Sequence, residues 1–326
     1  MDVLEEARRA RQRTAGRLRR TPLIRSDWLS ERAGFEVHLK LESLQVTGSF
    51  KARGALNAVL ALAERTGPPE PLPTVVAASA GNHGRALAWA AASIGLPVVV
   101  FTPRNAPAVK LAAIRRYRSE LRAEADNYEG AEVLAKEYAR STRARYLSPY
   151  SHPDLLAAIG GIALEILEDL PEVSQVIVPV GGGGLIAGIA QVLKALRPAA
   201  RVVGVEVEAS TPFTASLEAG RIVEVKVGPT LADGLAGNMD PDSIAFPIVQ
   251  RLVDRIVLAS EPALEAAVRG LVESEHLVAE GAGATAVAAV LAGTIPRVPG
   301  PAAVIVSGGN IDTSRLASIL GARGKT

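Results

Sequence analysis

Short apolar runs recur along the chain, separated by longer stretches in which apolar positions return every third or fourth residue. The runs Glu36–Leu41, Thr74–Ala78, Pro97–Phe101, Gln175–Pro179, Arg201–Val207, Arg255–Leu258 and Ala302–Val306 predict strands, most of them bounded by Gly, Pro or a charge. Ala52, Ala55, Leu56, Val59, Leu60 and Ala63 form one helical stripe. Ala86–Ser93, Ala131–Tyr138, Ile162–Leu170, Leu185–Leu196 and Pro262–Ser274 read as further helices. Strand and helix alternate, which predicts an α/β fold of mostly parallel sheet with helices on both faces. Ligands of such sheets sit at the carboxyl ends of the strands, so the chemistry is sought there. Lys40 alternates outward with His38 and Glu42 and is expected in water. Gly67–Pro73 and Thr294–Pro301 read as surface loops. About twenty residues follow Ser307, room for one short helix and no appended regulatory domain.

Composition narrows the partners. A chain of 326 residues accommodates two domains, or one large α/β unit with an insertion. A net charge of +2 favours neither nucleic acid nor an acidic membrane surface. The absence of cysteine excludes disulfides, thiolate metal sites and a thiol nucleophile, and fits a cytoplasmic protein. No apolar stretch reaches the length of a membrane span. The opening segment lacks an apolar core and carries Asp2, Glu5 and Glu6, so it reads as an amphipathic surface helix, not a targeting segment.

Four short segments carry candidate chemistry. Gly181–Gly184 lies between a strand and a helix. A tight turn needs one glycine, so a run of four points to a nest of backbone N–H groups for a phosphate-like anion. Gly182, Gly184 and Ala187 also fit G-x-G-x-x-A, with Glu206 about twenty residues on, which leaves a nicotinamide-dependent oxidoreductase as a rival. Ser79-Ala80-Gly81-Asn82-His83 reads equally as a helix start that holds a carboxylate or as an ordinary capped helix. Lys51, one of seven lysines, follows Phe50 just inside a helix N-terminus. Helix potential and burial there would lower its pKa, as a Schiff-base lysine requires; a solvated helix lysine is the plain alternative. Ser307 closes the last strand and is either a turn residue or a partner for a ring nitrogen.

Taken in order, from Thr21-Pro22-Leu23 to Ser307-Gly308-Gly309-Asn310, these motifs resemble the fold-type II pyridoxal-phosphate enzymes, and within them the serine/threonine dehydratases. The resemblance implies two domains, each a mostly parallel sheet flanked by helices. Residues 1–49 and 149–326 would form a large cofactor-binding domain, and residues 50–148 a small mobile one. Lys51 would carry the cofactor pyridoxal 5'-phosphate as a Schiff base, with Phe50 packed on its ring. Asn82 would bond the ring hydroxyl and Ser307 the ring nitrogen. Gly181, Gly182, Gly183, Gly184 and Leu185 would cradle the phosphate, and Gly234, in Thr230-Leu231-Ala232-Asp233-Gly234, would face the ring opposite Phe50. Ser79, Ala80, Gly81, Asn82 and His83 would hold the substrate carboxylate.

The implied reaction is dehydration and deamination of a small 3-hydroxy amino acid: L-threonine to 2-oxobutanoate and ammonia, or L-serine to pyruvate and ammonia. Freed Lys51 would take the Cα proton, and the cofactor phosphate would protonate the departing hydroxyl. Racemisation of serine and dehydration of 3-hydroxyaspartate or phenylserine are alternatives. Ala80 stands where serine racemases place a second serine, and alanine has no proton to give. The family's H-P-F-D and A-G-Q-G-T appear as Ser148-Pro149-Tyr150-Ser151 and Ala157-Ala158-Ile159-Gly160-Gly161, a difference on the substrate side. Some relatives bind a cation through a Glu and an Asp six residues on; here Glu206 is followed by Pro212, so no metal is expected and Glu206 is read as a plain strand residue. A homodimer is implied.

Overall fold

The computed structural model describes residues 2–67 and 70–322. Its first half runs α1 (Val3–Arg13), β1 (Leu23–Arg25), α2 (Asp27–Ala33), β2 (Val37–Lys40), α3 (Lys51–Thr66), β3 (Val75–Ala78), α4 (Asn82–Ala92) and β4 (Val98–Pro103). Next come α5 (Ala108–Arg115), β5 (Glu120–Ala125), α6 (Tyr128–Thr142), β6 (Arg145–Tyr146), α7 (Pro153–Asp169), β7 (Gln175–Pro179) and α8 (Gly184–Leu196). The last third is β8 (Arg201–Val207), α9 (Pro212–Ala219), α10 (Ala245–Leu252), β9 (Arg255–Ala259), α11 (Glu261–Glu275), α12 (Gly281–Leu291), β10 (Ala302–Ile305) and α13 (Thr313–Gly321).

The strands form two sheets. One has the order β1-β2-β10-β7-β8-β9, parallel except for β1 against β2; the other has the order β5-β4-β3-β6 and is parallel throughout. Successive side chains of a strand face opposite ways, so a strand buried on both sides must be apolar at every position. In β7, Val176 and Val178 enter a core with α7 and α8, while Ile177 enters a second core with α11 and α12. In the smaller sheet Val75 and Ala77 pack with α3 and α4, while Val76 and Ala78 face α6. Of the Gly67–Pro73 loop, Pro68 and Pro69 lie outside the described residues.

Lys40 corrects the expectation of a solvated lysine. It is fully buried, its ammonium donating to Glu165 at 2.6 Å and to the Thr21 carbonyl at 2.7 Å. Arg53 joins the same cluster through Glu42 at 2.8 Å and Glu165 at 2.7 Å. Two cations and two carboxylates thus neutralise one another in the interior, where none could stay charged alone. Alternation along β2 does not reveal this, because Glu165 arrives from α7.

Candidate active site

The carboxyl ends of β3, β7 and β10 turn toward one cavity of about 580 Å³ between the two sheets. That volume suits a small organic ligand. Phe50, Lys51, Ser79, Ala80, Gly81, Asn82, His83, Gly181, Gly182, Gly183, Gly184, Leu185, Gly234 and Ser307 all line it. The segments carrying them are stitched together locally. The Phe50 amide donates to the Ser307 carbonyl at 3.1 Å, and the Gly309 amide to the Gly48 carbonyl at 2.9 Å. A side chain at Gly283 would come within 2.0 Å of the Gly308 carbonyl oxygen, so α12 can press against this turn only through glycine.

Lys51 opens α3, where no residue caps the helix through its side chain. Its amine donates to the Pro149 carbonyl at 2.6 Å and lies 5.0 Å from the Phe50 ring centroid. The residue is partly exposed to the cavity, yet desolvation of its amine lowers the pKa to about 8. His83 Nε2 donates to the Leu147 carbonyl, 3.2 Å away; burial, then the nearby Lys51, pushes its pKa down to about 3, so it is neutral.

Two helix starts point open amides at the cavity. Among the described residues, the backbone N–H groups from Gly181 to Ile186 at the start of α8 have no protein acceptor. Packing also accounts for most of the glycine run, which corrects the view that a turn needs only one. A Cβ at Gly182 would lie 2.3 Å from the Tyr150 ring, one at Gly183 2.3 Å from Phe213, and one at Gly184 2.7 Å from the Tyr150 carbonyl. The anion reading therefore rests on the open amides, not on the number of glycines. At the second start, Gly81 occupies the cap position of α4 and no side chain caps it. Ser79 Oγ instead accepts from the Gly81 amide at 3.1 Å. The ordinary capped helix is thereby excluded.

Several residues of the cavity were not singled out from the sequence. Glu280 precedes α12 but turns its carboxylate into the cavity, where it accepts from Asn82 Nδ2 at 2.5 Å. Burial raises its pKa to about 7. Asn310 Nδ2 donates to Asn82 Oδ1 at 2.6 Å, and Arg85 donates to Asn310 Oδ1 at 2.6 Å. These bonds leave one Asn82 N–H free. The only signal in the sequence was an acid placed just ahead of Gly281–Leu291, a stretch of small and apolar residues broken only by Thr285.

Glu206 has a defined task, contrary to its reading as a plain strand residue. It accepts from the Phe213 and Thr214 amides at 2.7 and 2.8 Å and from the Thr214 hydroxyl at 2.6 Å, so it caps α9. A carboxylate so occupied is unavailable to a ribose, which removes the main support for the nicotinamide reading.

Two sheets facing a cavity with one desolvated lysine and two amide-lined helix starts define an α/β enzyme site that pairs a nucleophilic amine with room for two anionic groups. The chain belongs to the pyridoxal-phosphate-dependent enzyme family, whose model matches residues 15–308. It is 40% identical to an L-threonine ammonia-lyase of Thermotoga maritima over 98% of this chain and 78% of that one. The T.th. threonine deaminase superposes with a TM-score of 0.85 at 38% identity, covering 95% of this chain and 98% of the other. Maize serine racemase superposes with a TM-score of 0.90 at 31% identity, covering 97% and 95%.

The residues present fit the cofactor. The open amides of α8 suit its phosphate, the desolvated Lys51 amine its aldehyde, and the free Asn82 N–H a ring oxygen.

Proposed function

We propose that this protein is a pyridoxal-phosphate-dependent ammonia-lyase that dehydrates and deaminates L-threonine or L-serine. The observation that carries the reading is the Lys51 amine, held by the Pro149 carbonyl at 2.6 Å beside two helix starts with open amides. The similarity to threonine ammonia-lyases across nearly the whole chain supports the same activity.

When bound, the cofactor's conjugated ring accepts the electron pair released as Cα loses its proton. Phe50 and Gly234 would bracket the ring, the amides from Gly181 to Leu185 would hold its phosphate, Asn82 its hydroxyl and Ser307 its nitrogen. Ser79 to His83 would fix the substrate carboxylate through the first turn of α4. Lys51 takes the proton from Cα, a task for which an amine of pKa about 8 is poised near neutrality. Ala80 has no proton for the opposite face, which disfavours racemisation. Loss of the β-hydroxyl gives an enamino acid that hydrolyses to the 2-oxo acid and ammonia.

The reading extends to organisation. Residues 50–148 would act as a mobile unit closing over the substrate, and the active form would be a cytoplasmic homodimer, as the family resemblance suggests. Among the described residues no helix is long and apolar enough to cross a membrane.

The wild-type protein is expected to be yellow, to be labelled at Lys51 on borohydride reduction, and to release ammonia from threonine or serine. In a panel with 3-hydroxyaspartate and phenylserine, threonine and serine should be preferred. Lys51→Ala should lose both labelling and turnover; dehydratase activity surviving in that variant would overturn the assignment.

A further inference from the structure

Three tyrosines meet where α6 approaches the cavity. Tyr146 donates to Glu132 at 2.8 Å, and the Tyr150 hydroxyl accepts from the Asp240 amide at 2.9 Å. Lys136 bridges the two carboxylates, 3.1 Å from Glu132 and 2.8 Å from Asp240. Tyr128 differs from its neighbours. It lines the cavity together with Lys51, Pro149 and Tyr150, and its hydroxyl has no hydrogen-bond partner among the described residues. Burial, helped by Glu132, Asp240 and Glu129, pushes its phenol up, so it stays a donor throughout the working range of pH. The hydroxyl opens to the cavity, so a ligand that displaces water there must offer it an acceptor, and a ligand oxygen is its natural complement.

The substrate class proposed above offers three oxygen-bearing groups with the cofactor: a phosphate, a carboxylate and a 3-hydroxyl. Phosphate and carboxylate have the open amides of α8 and α4. For the hydroxyl, several other polar side chains of the cavity are already taken: Ser79 and Asn82 serve the carboxylate and ring oxygen in the reading above, and the Tyr150 hydroxyl is tied to the Asp240 amide. Asn238 is bonded through both amide atoms to Val225, Lys110 is paired with Asp233, Arg85 is held by Asn310, and Asn105 is exposed at the mouth.

We propose that Tyr128 donates a hydrogen bond to the 3-hydroxyl oxygen of the substrate, and so selects hydroxy amino acids and steadies the leaving group. This rests on the activity proposed above. In the elimination the Cα–H bond breaks and its proton passes to Lys51. The Cα=Cβ double bond forms as the Cβ–O bond breaks with its electron pair, and the oxygen leaves as water with a proton from the cofactor phosphate, as the resemblance implies, while the Cα proton stays on Lys51. Tyr128 shares its proton with that oxygen while charge gathers there and keeps it afterwards.

The test compares holoenzyme and Tyr128→Phe on L-serine and on β-chloro-L-alanine, whose chloride leaves without a proton. Loss of one donor to a developing charge should lower kcat/KM for serine about 10- to 100-fold. The chloride substrate should lose less than about threefold, in keeping with a contact to neutral chlorine that carries no proton-sharing role. The melting temperature, the cofactor absorption band and the cofactor dissociation constant should stay as in wild type. Equal loss on both substrates would make Tyr128 a wall of the cavity, weaker cofactor binding would make it a phosphate ligand, and an unchanged serine rate would give it no role; each overturns the proposal. A wild-type enzyme inert toward both serine and threonine would overturn the activity as well as this inference.

Discussion

Lys51 and Lys40 are the same residue type in one structure, eleven positions apart, with opposite consequences. Lys40 has an anion at 2.6 Å that compensates its burial; Lys51 has only a carbonyl, so desolvation is uncompensated and the pKa falls to about 8. The sign decides a measurable property. A Schiff base forms from the neutral amine, and for an ordinary lysine at pH 8 only about 0.3% is neutral, against about half for a pKa of 8. The rate at which apoenzyme takes up pyridoxal phosphate should therefore rise with pH and level off just above pH 8, as followed by rapid mixing. A rate still climbing at pH 10 would mean that Lys51 keeps its unperturbed proton. Lys51 was legible in the sequence because its neighbours were: an aromatic residue, a helix start and a glycine turn lie within a few positions. Lys40, Glu280 and Tyr128 were not, since what decides each is a partner or a cavity brought from far along the chain.

Among elements, the same contrast separates what patterning reveals from what pairing creates. Strands β7 and β8 match their predicted bounds because they are central and covered on both faces, which makes them apolar without interruption. Strand β5, Glu-Leu-Arg-Ala-Glu-Ala, lies at a sheet edge and carries a charge at every second position, so no apolar run announces it. Strands β1 and β6 span three and two residues and exist only through their ladders with β2 and β3. Helix α12 is buried around its whole circumference and therefore shows no polar face to read. Helix α3 is fixed differently, by the Arg53 guanidinium, which sits within one turn of Lys51 and grips Glu42 and Glu165 at 2.8 and 2.7 Å. Arg53→Met would leave Glu165 with Lys40 and Glu42 with only the Thr21 hydroxyl. The expected loss is about 3–5 kcal/mol in denaturant unfolding, the cost of an unpaired buried charge. A loss below about 1 kcal/mol would show that water or Lys40 takes over the pairing.

At the scale of the molecule, the cavity exists because the two sheets aim their strand ends at each other, and side chains from both must meet across it. Two ion pairs do so. Lys110 of α5 pairs with Asp233, and Lys136 of α6 pairs with Asp240 at 2.8 Å, next to the Asp240 amide that binds Tyr150. Burial alone would lower the Lys136 ammonium, but Asp240 and Glu132 more than reverse this and hold it above its ordinary value, so Lys136 keeps its charge at working pH. If the smaller sheet moves to admit substrate, these contacts are made only in the closed form, and their energy enters the equilibrium between open and closed enzyme. A half-exposed pair contributes on the order of 1 kcal/mol, so Lys136→Met should raise KM for threonine about three- to tenfold. Once substrate saturates the enzyme the closed form is restored, and kcat should change less than about twofold. Added salt should raise the wild-type KM in the same direction and leave that of Lys136→Met nearly unaffected. Loss confined to kcat would place Lys136 in the chemistry itself, and an unchanged KM would mean that the sheets are held together by their apolar contacts alone.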